Sequence, residues 1–185
     1  MQQNILWSGK AGQSLENCIL TVTDNGTEIN AVIIGLQEQV IYKVEYCIKT
    51  NKNRETIFFE IKSNLNGVIQ FFSFKSNGKG MWTTNNKHAS RFNGCIDVDI
   101  SLTPFTNTLP INRLNLFENG QQKINVLYID ILNQEIKPVQ QLYTRLSKYE
   151  YKYQNVPNDF EAIITVDEYG LVVNYPELFE RIAMR

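Results

Sequence analysis

Apolar and polar residues alternate one by one through long stretches of this sequence, a period that fits a β-strand and not a helix. From Val40 to Ile48, the residues Val40, Tyr42, Val44, Tyr46 and Ile48 fall on one face while Lys43 and Glu45 fall on the other. That is the pattern of a strand with one wet side. Glu55 to Lys62 repeats it, with Ile57, Phe59 and Ile61 in phase. Asn64-Leu65-Asn66-Gly67 then carries an Asn-Gly turn signal and Val68 to Phe74 follows as a second apolar run, so the two segments predict a β-hairpin. Turn signals recur at Asp24-Asn25-Gly26, Asn77-Gly78-Lys79-Gly80, Glu118-Asn119-Gly120 and Glu168-Tyr169-Gly170. Further strands are predicted at Ile96 to Ile100, Ile111 to Leu116, Lys123 to Tyr128, Gln141 to Leu146, Tyr149 to Tyr153, Glu161 to Val166 and Leu171 to Tyr175. The reading is a mainly β, antiparallel meander of roughly ten to twelve strands.

Helical signals are confined to the end. Pro176 stands at a first helical position, Glu177 in the first turn, and Leu178, Phe179 and Ile182 share one face, which predicts a short C-terminal helix. A chain of 185 residues buries roughly 70% of its surface on folding, enough for one core. With no internal repeat and no Pro/Ser-rich linker, residues 1–185 read as a single domain.

Composition removes several function classes. Eighteen basic and 19 acidic side chains leave a formal charge of −1, and the signs are interleaved, so the basic stripe of a nucleic-acid binder is missing. Cys18, Cys47 and Cys95 are widely spaced, with no CxxC pair and only one histidine, His88. No zinc site or disulfide framework is expected. The sequence has no phosphate-binding GxxxxGK[ST], dinucleotide GxGxxG or GxSxG elbow, and no cofactor is expected. The opening residues MQQNILWSGKAG show no export signal and no stretch approaches a membrane span. A cytoplasmic protein with reduced thiols is the expectation.

The chemistry concentrates in Gly94-Cys95-Ile96-Asp97-Val98-Asp99-Ile100 and the segment that follows to Leu114. On a strand, Asp97 and Asp99 project to one face, roughly 6.5 to 7 Å apart. They form either a solvated polar face or a buried acidic pair, with Arg113 as the counter-charge best suited to carboxylates. Pro104 and Pro110 fix φ at both ends of the stretch between them, and Asn107 and Thr108 bond local backbone, which predicts a rigid crossing loop. Tyr149, Tyr151 and Tyr153 share a strand face, either packed on the core or forming an aromatic wall for a sugar or lipid; Trp7 and Trp82 permit the same two readings.

The string GCIDVDISLTPFTNTLPINRL, with Trp7, Leu15-Glu16, Tyr46, Arg54, Gly80-Met81-Trp82, Gln140 to Tyr143, Asp167 to Val172 and Tyr175-Pro176, resembles the putative glycolipid-binding family. The members are mostly bacterial cytoplasmic proteins, formerly a domain of unknown function. The resemblance spans essentially the whole chain. It implies a single-domain spiral β-roll, in which a long curved sheet winds around an interior, similar in outline to bacterial carriers of lipoproteins and glycolipids.

Three functions follow as expectations. The first is non-catalytic binding of a glycolipid or other acyl-containing amphiphile. Apolar strand faces hold the tail, and the polar head meets Asp97, Asp99, Asn107 and Arg113 together with Glu16, Arg54, Trp82 and Tyr143. The second is a hydrolase using Asp97 and Asp99 as acid and base, at a separation compatible with inverting glycoside hydrolysis. The third is a structural or protein-interaction domain in which Arg113 pairs with one of these aspartates to fix the winding of the roll.

Overall fold

In the computed structural model, which describes residues 1–185, the alternating segments become strands. These are β1 (Gln2–Gly9), β2 (Gln13–Thr23), β3 (Gly26–Gln37), β4 (Val40–Thr50), β5 (Thr56–Leu65), β6 (Val68–Ser76), β7 (Trp82–Thr84) and β8 (Lys87–His88) in the first half. The second half holds β9 (Asp97–Ile100), α1 (Phe105–Leu114), β10 (Gln121–Asp130), β11 (Glu135–Arg145), β12 (Glu150–Val156), β13 (Glu161–Val166), β14 (Val172–Tyr175) and β15 (Phe179–Met184). On β4 the predicted face is the inner one: Tyr42, Val44, Tyr46 and Ile48 are buried. The β5–β6 hairpin turns at Asn66 (φ 49°) and Gly67 (φ 92°), with Leu65 opposite Val68, and two successive positive φ values suit an Asn-Gly pair.

All fifteen strands belong to one curved sheet, ordered β8-β7-β6-β5-β4-β3-β2-β1-β15-β14-β13-β12-β11-β10-β9. The two ends of the chain meet in its middle, where Ile5 of β1 lies opposite Met184 of β15. The free edges, β8 and β9, are consecutive in sequence, so the short link between them crosses from one edge of the sheet to the other. Two bonds pin this crossing: the Trp82 indole N–H donates to the Cys95 carbonyl at 2.7 Å, and the Gly94 N–H donates to the Gly80 carbonyl at 3.0 Å. Gly80 has φ +75°, and a Cβ there would stand 2.9 Å from the Gly94 backbone, so close approach as well as conformation requires glycine. With its edges tied, the sheet forms a spiral roll. One pairing departs from the antiparallel expectation: β9 and β10 run parallel, because α1 makes the crossover between them.

The interior holds two apolar clusters. The larger has 27 residues, among them Trp7, Phe59, Trp82 and Phe92, with Phe59 stacked on Phe74 at 5.0 Å and edge-on to Trp82 at 5.4 Å. The smaller has eight, including Tyr143, Tyr151, Ile164 and Val172. Helix α1 joins them, giving Phe105 and Leu109 to the first and Ile111 to the second.

Three local readings are corrected. Residues 104–110 form not a crossing loop but the start of α1, and Ile111 to Leu114 continues that helix instead of opening a strand. Phe105 through Ile111 are all buried, and backbone buried inside a roll needs internal partners, which a helix supplies. Pro104 takes the N-cap position, and Pro110 within the helix forgoes one bond. The C-terminal helix is likewise absent: Phe179–Met184 is β15, paired with β1 and β14. The open edge of β1 outweighs a weak local helical preference, since pairing there satisfies a whole row of backbone groups. No helix is long and apolar enough to cross a membrane.

Candidate functional site

Asp97 and Asp99 both project from β9 toward α1, as a period of two requires, and their surroundings differ. Asp97 is fully buried and receives the Arg113 guanidinium from the last turn of α1, with Nε at 3.0 and 3.1 Å and Nη2 at 2.5 Å. Burial raises the Asp97 carboxyl above its ordinary value, against the lowering by Arg113. Asp99 is half-buried and meets only neutral donors, Thr106 Oγ1 at 3.1 Å and Gln141 Nε2 at 2.6 Å. Burial raises it too, against those two bonds. Tyr143 donates to Asn107 Oδ1 at 2.9 Å. A polar layer of α1, β9 and β11 side chains thus runs through the roll. Gln141, Thr106 and Tyr143 are nearly sealed from solvent, so unmade bonds there would be expensive.

A second buried carboxyl lies on β2. Glu16 Oε1 accepts from Tyr46 at 2.5 Å and from Thr103 at 2.9 Å, whereas Oε2 is buried without a partner. Burial pushes its pKa up to about 7, against the lowering by the two hydroxyls. Thr103 also accepts the Phe105 N–H at 3.0 Å, so Glu16 anchors the start of α1 to the opposite wall.

Two cavities flank α1. The first, about 490 Å³, has an apolar floor that includes Leu20, Ile29, Leu109 and Leu171. Its rim carries Arg54, Asn112, Lys148, Tyr149 and Tyr169. Arg54 adopts φ +63° and donates from Nη1 to the Asn112 carbonyl at 2.7 Å, which holds its cation beside the end of α1. The second cavity, about 530 Å³, is walled by Tyr128, Tyr153, Phe160, Tyr175 and Phe179, with Asp99, Asn107 and Gln141 among its polar groups. Both volumes fall in the range of small-molecule sites.

The structure therefore distributes the residues singled out from sequence. Arg54 lines the first cavity, and Asp99 and Asn107 line the second. Asp97 and Arg113 form a closed ion pair between β9 and α1, and Glu16 and Tyr143 bond within the wall of the roll. Trp82 is fully buried in the larger core. The three phenols of the Tyr149 to Tyr153 segment divide, with Tyr149 and Tyr151 at the first cavity and Tyr153 at the second. His88 is exposed on β8. Sequence reasoning missed Gln141, Thr106 and Thr103 as partners of the buried carboxyls, and Tyr128, Phe160 and Tyr175 as cavity walls. Two signals pointed to Gln141: its inward position on an alternating strand and its place in the Gln140 to Tyr143 segment that carries the family resemblance.

The family model described as "Putative glycolipid-binding" matches residues 4–181. The chain belongs to this family. It is also similar to a DUF1089 family protein from Pseudomonas aeruginosa, solved as a crystal structure at 1.80 Å resolution. The two share 30% sequence identity and superpose with a TM-score of 0.81 over 90% of this chain and 92% of that one. No curated protein matches the sequence.

Proposed function

We propose that this protein binds a glycolipid or another acyl-bearing amphiphile without acting on it, and that the first cavity is the site. The carrying observation is the division of that cavity into an apolar floor and a polar rim of Arg54 and Lys148, the carboxylates Asp167 and Glu168, the Asn112 amide and exposed tyrosines. Leu20, Ile29 and Leu109 offer an acyl chain roughly 25 cal/mol for each Å² of apolar surface removed from water. Arg54 and Asn112 offer hydrogen bonds to a polar head, and Tyr149 and Tyr169 offer ring faces on which a sugar can stack. The family description supports a ligand of this class. A cytoplasmic location fits the free cysteines Cys18, Cys47 and Cys95. For the acid–base alternative no observation speaks: Asp97 is held on both oxygens by Arg113 and lines neither cavity.

Displacement of a fluorescent acyl probe tests the reading. Val22 lines the mouth of the cavity and is 38% exposed, so Val22→Trp narrows the opening without entering the core. The probe is expected to bind the unaltered protein, to be displaced by glycolipid, and to lose affinity about tenfold or more in Val22→Trp. Absence of probe binding, or binding unchanged by Val22→Trp, overturns the proposal.

A further inference from the structure

The second cavity is separate from the one assigned above, and its chemistry is different. Tyr153, Phe160 and Tyr175 form a near-equilateral triangle, with ring centroids 6.0, 6.2 and 6.3 Å apart and planes inclined by 47 to 62°. Phe179 extends the wall, 6.2 Å from Tyr175 at 60°. All three rings line this one cavity. A cation in this cavity within about 6 Å of a ring centroid is in range of a cation–π contact.

The charge of the cavity has the matching sign. Asp99 opens onto it with no basic partner, held only by Thr106 and Gln141, whereas its neighbour Asp97 has Arg113. Asp159 adds a second carboxylate at the mouth. Lys137 is the single cation in the lining and its ammonium is engaged by Glu135 at 2.6 Å. Burial, then the Asp99 charge, raises the Tyr128 phenol to about 12, and burial raises Tyr153 and Tyr175 further. The phenols therefore stay neutral and add no negative charge of their own, so Asp99 and Asp159 set its sign.

We infer that the second cavity is a binding site for a methylated ammonium group, with Tyr153, Phe160 and Tyr175 as its cage and Asp99 as the counter-charge. Methyl groups on nitrogen present a diffuse cation that needs no hydrogen-bond acceptors, which suits ring faces better than a primary amine does. The compensation also runs the other way, because an unpaired carboxylate beside a low-dielectric wall gains from any cation brought near it.

Calorimetric titration with choline and with 3,3-dimethylbutan-1-ol, its neutral carbon isostere, tests the inference. Choline is expected to bind at least tenfold more tightly than the isostere. Asp99→Asn, which keeps the shape and the Gln141 contact region, is expected to weaken choline about tenfold and leave the isostere unchanged. Phe160 is 39% exposed, so Phe160→Ala should fold normally and weaken choline about fivefold or more. It keeps the test decisive should Asp99→Asn unfold. Dihexanoylphosphocholine serves as a second arm: tighter binding than choline assigns a lipid headgroup, and equal or weaker binding assigns a free solute. Val22→Trp leaves choline binding intact, which separates this site from the acyl site. Equal affinity for choline and its isostere, preference for a methyl glycoside over choline, or absence of choline binding overturns the inference.

Discussion

Replacement of Arg113 by methionine removes one half of a sealed ion pair and tests the polar layer directly. The side chain of Asp97 has no solvent exposure and that of Arg113 has 15%, with three contacts between 2.5 and 3.1 Å. Methionine keeps the apolar stem of Arg113 and deletes the charge, leaving a carboxylate that can reach neither water nor a cation. Breaking such a pair from one side costs about 3 to 5 kcal/mol, which in a chain of this size lowers Tm by roughly 6 to 20 °C. The loss carries a pH signature. Burial already raises the Asp97 carboxyl and Arg113 opposes that, so without Arg113 the folded-state pKa climbs further above the unfolded one. A group raised in this way contributes stability that is present below its unfolded pKa and lost as pH rises through the folded value. The Arg113→Met deficit is therefore smallest in acid and grows toward neutral pH. Urea or thermal melts of the two proteins from pH 4 to 8 measure it, and adding Asp97→Leu to Arg113→Met should restore most of the loss at neutral pH. A deficit below about 1 kcal/mol with no pH trend, the behaviour of an exposed pair, would show that Asp97 and Arg113 are not a buried pair.

Glu16, raised to about 7 from 4.5 chiefly by burial, contributes stability that is present below pH 4.5 and lost as pH rises through 7. The slope is at most about 1.4 kcal/mol per pH unit, and Glu16→Gln should flatten it in denaturant titrations; an unchanged slope contradicts the assignment. Phe105→Ala should cost about 3 to 5 kcal/mol, because that ring is 1% exposed and lies 6.5 Å from Trp7 where α1 begins. Deleting residues 179–185 strips β15 from β1 and should give aggregated or unfolded protein by size-exclusion chromatography. A C-terminal helix lying outside the sheet would have been dispensable.

The strands were legible because an alternating face must be buried: β4 follows its pattern from Tyr42 to Ile48, β5 follows it from Phe59 on, and at its start Thr56 is buried in place of Ile57. The helix was illegible for an equally physical reason. Pro110 and the β-branched Thr106, Thr108 and Ile111 disfavour a helix locally, and only the sealed interior of the roll, invisible in a local window, makes one necessary. The same limit explains β15, whose partner β1 stands at the other end of the chain. The spacing of Asp97 and Asp99 announced a common face, and Arg113 was legible as a counter-charge from its chemistry. What spacing alone did not reveal is that one carboxylate is locked by that arginine while the other opens onto a cavity. The aromatic walls of that cavity come from β10, β12, β14, β15 and the β12–β13 turn, and such long-range convergence leaves no local signature.

Whether the roll holds an amphiphile is directly measurable. Organic extraction of natively purified protein, followed by lipid mass spectrometry, answers this when the unaltered chain is compared with Val22→Trp and with protein refolded from denaturant. An acyl-bearing species near one equivalent is expected in the native protein, depleted in Val22→Trp and absent after refolding. Native protein free of lipid that also takes up none when refolded in the presence of glycolipid would contradict amphiphile binding.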